Sequence, residues 1–127
     1  MKENKNLVTN LIKYIQKKEK TDAVYLFGSF ADKTQNQDSD IDIGILFHNH
    51  IKDKLNAHNR LEGLKFDCES EFNLYNKIDL VDLELAPTAL QNSIINGKLL
   101  VENNNYHIHK FENYILSKVE EEFDYSE

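Results

Sequence analysis

A single cysteine, Cys68, leaves no partner for an intrachain disulfide. Packing, hydrogen bonding and charge must therefore hold the fold, and the thiol is expected to sit as a small apolar residue on a helix face. That usage suits a reducing cytoplasm. Proline occurs once, and the composition is 40% hydrophobic with scattered aromatics, which excludes a disordered tail. Basic residues nowhere form a long block and the net charge is −7, so direct binding to a nucleic-acid backbone is excluded as the main activity. A nucleotide that arrives with its own magnesium stays open. No uninterrupted apolar run approaches membrane-spanning length, and the first twenty residues, MKENKNLVTNLIKYIQKKEK, have no apolar centre of the kind a signal peptide needs. The expectation is a cytoplasmic protein without a membrane partner.

What remains is enough for one domain spanning 1–127, large enough to bury a core without a structural metal. There is no repeat, linker or low-complexity segment. Leu7, Val8, Leu11, Ile12, Tyr14 and Ile15 recur at helical spacing and predict an amphipathic helix over 4–19. AVYLF at 23–27 reads as a strand that stops at Gly28, where the backbone is free to turn sharply. DIDIGILF at 40–47 alternates and then turns wholly apolar, as a strand does when its start is exposed and its end buried. Ile51, Leu55, Leu61, Leu64, Cys68 and Phe72 predict a helix over 51–72. KIDLVDLEL at 77–85 is a third strand. A helix then begins near Pro87 and stops near Gly97, before a short KLLVE segment. Ile108, Phe111, Ile115, Val119 and Phe123 form the apolar stripe of a last helix over about 105–123, with an acidic tail at 124–127.

The chemistry concentrates in LFGSFADKTQNQDSDIDIGILF, residues 26–47. Residues two apart on a strand share a face, so Asp38, Asp40 and Asp42 point the same way. Like charges at that spacing raise one another's energy unless a cation sits between them, which invites a metal ion. Gly28 and Ser29 fall where the first strand ends, and backbone N–H groups with a serine hydroxyl at such a corner suit an anion such as a phosphate. A Gly-Ser pair alone says little, because most such pairs only make a turn. The spacing says more: from Ser29, ten residues lead to Asp40, then one to Asp42.

Read as G-S-x10-D-x-D, the segment resembles the polymerase-β-like nucleotidyltransferases in their minimal single-domain form, and the likeness runs over roughly residues 5–125. IDLVDL and APTALQNSIINGKLLVE look like the family's third strand and the helix and hairpin after it. The resemblance implies an α/β, two-layer fold, a small mixed sheet with helices packed on it and an active site open at the sheet edge. It implies that Gly28 and Ser29 hold the triphosphate of ATP and that Asp40 and Asp42 hold two magnesium ions. A third carboxylate would bind the catalytic ion and help deprotonate the acceptor. Asp79 fits the family's third strand better than Asp82, and alternation puts the two on opposite faces, so only one can serve. Two metals roughly 4 Å apart clamp attacking and leaving oxygens, and magnesium takes few protein carboxylates, so a D-x-D pair suits it. Chains of this size ending in a helix like YHIHKFENYILSKVEEEFDY look like the antitoxin half of HEPN and MNT toxin–antitoxin pairs. That implies transfer of AMP to a tyrosine of a partner HEPN ribonuclease toxin, in a hetero-oligomer. One departure stands out. Relatives carry Ala-Arg-Gly after the Ser-x pair, whereas this chain has Ala31, Asp32 and Lys33, so Lys33 is the residue expected to meet the triphosphate.

Blander readings compete at several positions. HNH at 48–50 is expected to be a polar strand end and not a nuclease motif, whose residues are not consecutive. His107 and His109 are two apart on a helix, do not face each other, and are expected at the surface or against a partner. Tyr75, Tyr106, Tyr114 and Tyr125 are expected as half-buried packing residues. Two rival functions remain: an antitoxin that acts by binding alone, and a small-molecule nucleotidyltransferase of the aminoglycoside type, which would need a second domain this chain has no room for.

Overall fold

The computed structural model describes residues 2–32, 34 and 39–125. Four strands, β1 (Thr21–Phe27), β2 (Ile41–Phe47), β3 (Ile78–Asp82) and β4 (Lys98–Glu102), make one sheet in the order β3-β2-β1-β4. β1 runs antiparallel to β2 and to β4, while β2 and β3 are parallel, so the sheet is mixed as the sequence predicts. Parallel neighbours need a long crossover, and helix α3 (Lys54–Phe72) supplies it. The other helices are α1 (Lys2–Lys18), α2 (Ser29–Asp32), α4 (Thr88–Ile95) and α5 (Asn105–Tyr125). Among the described residues no helix is long and apolar enough to cross a membrane.

Strand alternation divides the core in two. Val24, Leu26, Ile41, Ile43, Ile45, Ile78 and Leu80 face α1 and α3, meeting Leu11, Ile15, Leu64 and Cys68. Ala23, Tyr25, Phe27 and Leu46 face the other way, onto Ile94, Ile108, Phe111 and Ile115 of α4 and α5. Helices thus pack on both faces of the sheet, and β1 is accordingly buried at every position, where a strand covered on one side alone would alternate. Each fully buried aliphatic side chain here contributes about 1.5–3 kcal/mol, which makes the central strands the anchor of the fold.

Several boundaries differ from the sequence reading for identifiable reasons. The helix predicted from 51 begins at Lys54, because the Asp53 carboxylate accepts a hydrogen bond from Asn56 N and caps it there. Leu55 consequently falls on an exposed turn, at 65% exposure. The last helix continues to Tyr125, two residues into the expected tail, and Ser126 and Glu127 lie outside the described residues. Cys68 is buried on α3, as expected, and burial beside Asp67 and Glu69 pushes its thiol up to about 12. Tyr75, Tyr106 and Tyr114 are not half-buried; all three are exposed, Tyr75 in the turn after α3 and the other two off the α5 stripe that meets the sheet, Ile108, Phe111 and Ile115. The side chain of Tyr125 lies outside the described residues.

One polar cluster ties β1, the end of β2 and α5 together. Asp22 is buried, and its two carboxylate oxygens accept hydrogen bonds from Nδ1 of His48 at 2.8 Å and of His107 at 2.5 Å. An ionised carboxylate only accepts, so Nδ1 carries the proton in both rings. His107 is thus a structural partner of the sheet, a role that sequence spacing along its own helix does not reveal. Burial pushes the Asp22 carboxyl up, but hydrogen bonds from His107 and His48, with their charge, bring it below its ordinary value overall.

A group whose folded pKa is lowered contributes stability that is present above its unfolded value and lost as pH falls through the folded one. Asp22→Asn is therefore expected to cost about 2–4 kcal/mol at pH 7, with the gap to wild type closing in strong acid. Urea unfolding at pH 7 and at successively lower pH measures it; equal stability at pH 7 contradicts the clasp.

Candidate active site

The chain from β1 to β2 builds the site. β1 ends at Phe27, and Gly28 adopts φ +69°, the left-handed conformation that L side chains rarely take. Its carbonyl then accepts from the N–H groups of Ala31 and Asp32, closing the short helical turn α2. A Cβ placed on Gly28 would lie 2.2 Å from Asp42 Oδ2, so this position needs glycine for its backbone angle and for the acid beside it. Phe27 pairs with Asp42 across the antiparallel ladder, and Asp42 pairs with Asp79 across the parallel one. Register therefore sets Phe27, Asp42 and Asp79 in one row at one end of the sheet, with Gly28 one residue beyond it and against the Asp42 carboxylate.

The two acids on β3 separate as alternation requires. Asp79 is exposed on the face of Asp42. Asp82 is buried on the opposite face, where Oδ2 lies 3.6 Å from Arg60 Nη2 and Oδ1 accepts from Glu84 N. Arg60 also stacks 3.8 Å over the Phe47 ring and donates to Asn49 O. Burial pushes the Asp82 carboxyl up, with Glu84 N–H and Arg60 pulling against it, which is the signature of a structural pair. Of the two, Asp79 has access to a ligand.

Asp42 carries the electrostatic strain. It is half-buried, and burial, then Asp79, then Asp40 push its carboxyl up to about 6. Among the described residues no cation contributes to that balance. The acids are close enough to repel one another, yet among the described residues no set of three or more His, Cys, Asp or Glu closes around a metal position. An open carboxylate set fits magnesium, which keeps most of its coordination for water and phosphate oxygens. Ser29 opens α2, and its backbone carbonyl accepts from Thr34 N. Lys33 and Asp38 lie outside the described residues.

Two clefts lie elsewhere. One of about 320 Å³ is lined by Thr21, Asp22, His48 and Asn104, where β1 begins and β2 ends. Another of about 580 Å³ lies between Pro87 and Tyr114 at the start of α4. Neither includes Asp40, Asp42 or Asp79, so the acidic row lies outside both clefts.

Comparison with known proteins gives this geometry a context. A family model described as polymerase beta, nucleotidyltransferase matches residues 9–106. A chain in a toxin–antitoxin complex solved with AMP-PNP is 27% identical, with a TM-score of 0.71, covering 88% of this chain and 86% of its own. A chain from a mutant MntA–HpeT toxin–antitoxin complex, with two aspartates changed to glutamate, is 25% identical, with a TM-score of 0.68 and coverage of 88% and 86%. A chain from a complex of tri-AMPylated HEPN toxin and MNT antitoxin of Shewanella oneidensis is 24% identical, with a TM-score of 0.68 and coverage of 92% and 87%, a likeness of fold alone. No curated protein matches the chain.

A carboxylate whose folded pKa is raised destabilises the fold once it ionises, so the strain at Asp42 builds from about pH 4 to about pH 6 and persists above it. Without divalent cations, Asp42→Asn is expected to be more stable than wild type at pH 7.5, by at most about 3 kcal/mol and less for partial exposure. The difference should vanish near pH 4, and magnesium should stabilise wild type alone. Thermal melts across pH, with and without magnesium, report all three; a variant less stable than wild type at pH 7.5 contradicts the strain.

Proposed function

The chain belongs to the polymerase beta nucleotidyltransferase family, and from that membership we propose that it is an antitoxin that transfers AMP from magnesium-bound ATP to a tyrosine of a HEPN-type ribonuclease partner. The observation that carries the reading is the pairing of Asp42 with Asp79 by strand register, with Gly28 pressed against the Asp42 carboxylate and Asp40 beside it. The likeness to a toxin–antitoxin chain crystallised with AMP-PNP supports the nucleotide and the partner class.

In this account the corner at Gly28 and Ser29 receives the polyphosphate, and Asp40 and Asp42 hold magnesium, with Asp79 as the third ligand. Bound there, magnesium offsets the negative charge that builds on the attacked α-phosphate and on the departing pyrophosphate. Asp79 faces solvent at the edge strand and accepts the proton as the tyrosine oxygen forms its bond to phosphorus. The bond from the α-phosphorus to the bridging oxygen breaks, and the products are tyrosyl-AMP, pyrophosphate and a proton. An open edge suits a folded protein acceptor better than a small molecule, which would need an enclosing wall.

Incubation with ATP, magnesium and the partner ribonuclease, followed by intact-mass measurement, is expected to add adenylate to the partner. Asp42→Asn or Asp79→Asn should slow this by on the order of 100-fold or more. If wild type yields no adduct and Asp42→Asn still neutralises the partner, the protein acts by binding alone.

A further inference from the structure

Among the described residues no ion pair reaches Asp40, Asp42 or Asp79. The basic residue that follows the Gly-Ser pair in sequence, Lys33, lies outside the described residues. Sheet order offers another. β4 is the outer neighbour of β1 and antiparallel to it, so β4 begins at the same end of the sheet where β1 finishes. Its first residue, Lys98, is the cross-strand partner of Leu26, two residues before Gly28.

This position is held in place. A Cβ on Gly97 would lie 2.5 Å from Leu26 O and 3.2 Å from Phe27 Cα, so the turn into β4 is pressed against the last residues of β1. Gly97 N also donates to Ile94 O, tying that turn to α4. In turn, a Cβ on Gly44 would lie 2.6 Å from Ile94 Cγ2, so α4 rests directly on β2. The backbone of Lys98 is therefore fixed relative to the strand ends that carry Asp42 and Gly28. Its side chain is exposed and enters no ion pair among the described residues. Lys98 shares the row and the face of Leu26, opposite to that of Asp42 and Asp79, so its ammonium reaches the nucleotide only by way of its long stem crossing the sheet end, where it is the first residue of its strand.

We infer that Lys98 binds the β- and γ-phosphates of the incoming nucleotide, on the side of the Gly28 corner away from Asp42 and Asp79. The inference rests on the nucleotidyl-transfer reading above. Along the sheet end the acids stand on β3 and β2, the Gly-Ser corner on β1 and the lysine on β4. From β2 to β4 is two strand spacings, about 10 Å, a span that a polyphosphate and a lysine side chain cover together. The acids with magnesium would meet the α-phosphate, and the ammonium would meet the far end of the chain, which leaves as pyrophosphate. A point charge on a flexible stem suits that task, since phosphate oxygens need no fixed fork to be recognised.

The test is equilibrium binding of AMP-PNP and of AMP, each with magnesium, to wild type, Lys98→Ala, Lys98→Arg and the distant control Lys110→Ala. Lys98→Ala is expected to weaken AMP-PNP binding about ten-fold and to leave AMP unchanged, with Lys98→Arg restoring affinity to within about three-fold and Lys110→Ala matching wild type. If wild type binds AMP-PNP and Lys98→Ala binds it equally well, the lysine assignment falls and the nucleotidyl-transfer reading stands. If Lys98→Ala weakens AMP as much as AMP-PNP, the residue supports the fold and not the phosphates. If wild type binds no AMP-PNP, both readings fall.

Discussion

Repulsion between carboxylates organises this molecule's working end. Asp42 is wedged against a glycine that has no side chain to yield and is flanked by Asp79 and Asp40, with no described cation to relieve it. A protein pays for such an arrangement in stability, because ionised acids in a half-buried row are worse than the same acids in water. Selection for folding alone would remove it. The proposed cation and phosphate would relieve that repulsion, and the remaining architecture can be understood as what holds those acids in register.

That support is distributed over both faces of the sheet. β1 lies between β2 and β4 and is buried at every position, so the strand that ends in the Gly-Ser corner cannot shift without disturbing two cores. On one face, α4 sits close enough to β2 that only glycine fits at residue 44, and its exit turn is pressed on the end of β1 at residue 97. At the far end, the buried Asp22 draws His48 and His107 together and fastens α5 to the sheet. The acidic end is exposed and repulsive, while the opposite end is closed by matched charge. The second offsets part of the cost of the first.

Much of this was legible in the residues. The runs at 23–27 and 40–47 and the first part of 77–85, Ile78–Asp82, became strands, and period-two parity correctly separated Asp79 from Asp82, because alternation is a local property of an extended chain. The ten-residue interval from Ser29 to Asp40 placed the corner and the acids on neighbouring strands. Other features were invisible because they join residues far apart in sequence. Asp22 and His107 meet across 85 positions, and nothing in either neighbourhood announces the other. Arg60 over Phe47 and Gly44 beneath Ile94 are of the same kind. The tyrosines misled for a related reason: an aromatic on a helix is buried only if its face is turned inward, and Tyr106 and Tyr114 belong to the outer face of α5.

The sequence by itself determined the elements, their order, the parity of the acids and the need for glycine where β1 turns, since each follows from local backbone geometry and from the chemistry of neighbouring residues. Only the tertiary structure decided that helices cover both faces, that Asp82 is spent on Arg60 while Asp79 stays open, and that Lys98 arrives beside the corner. Those outcomes depend on which strand lies next to which, and strand order is settled by the collective burial of two apolar faces, a quantity that no single stretch of the chain contains.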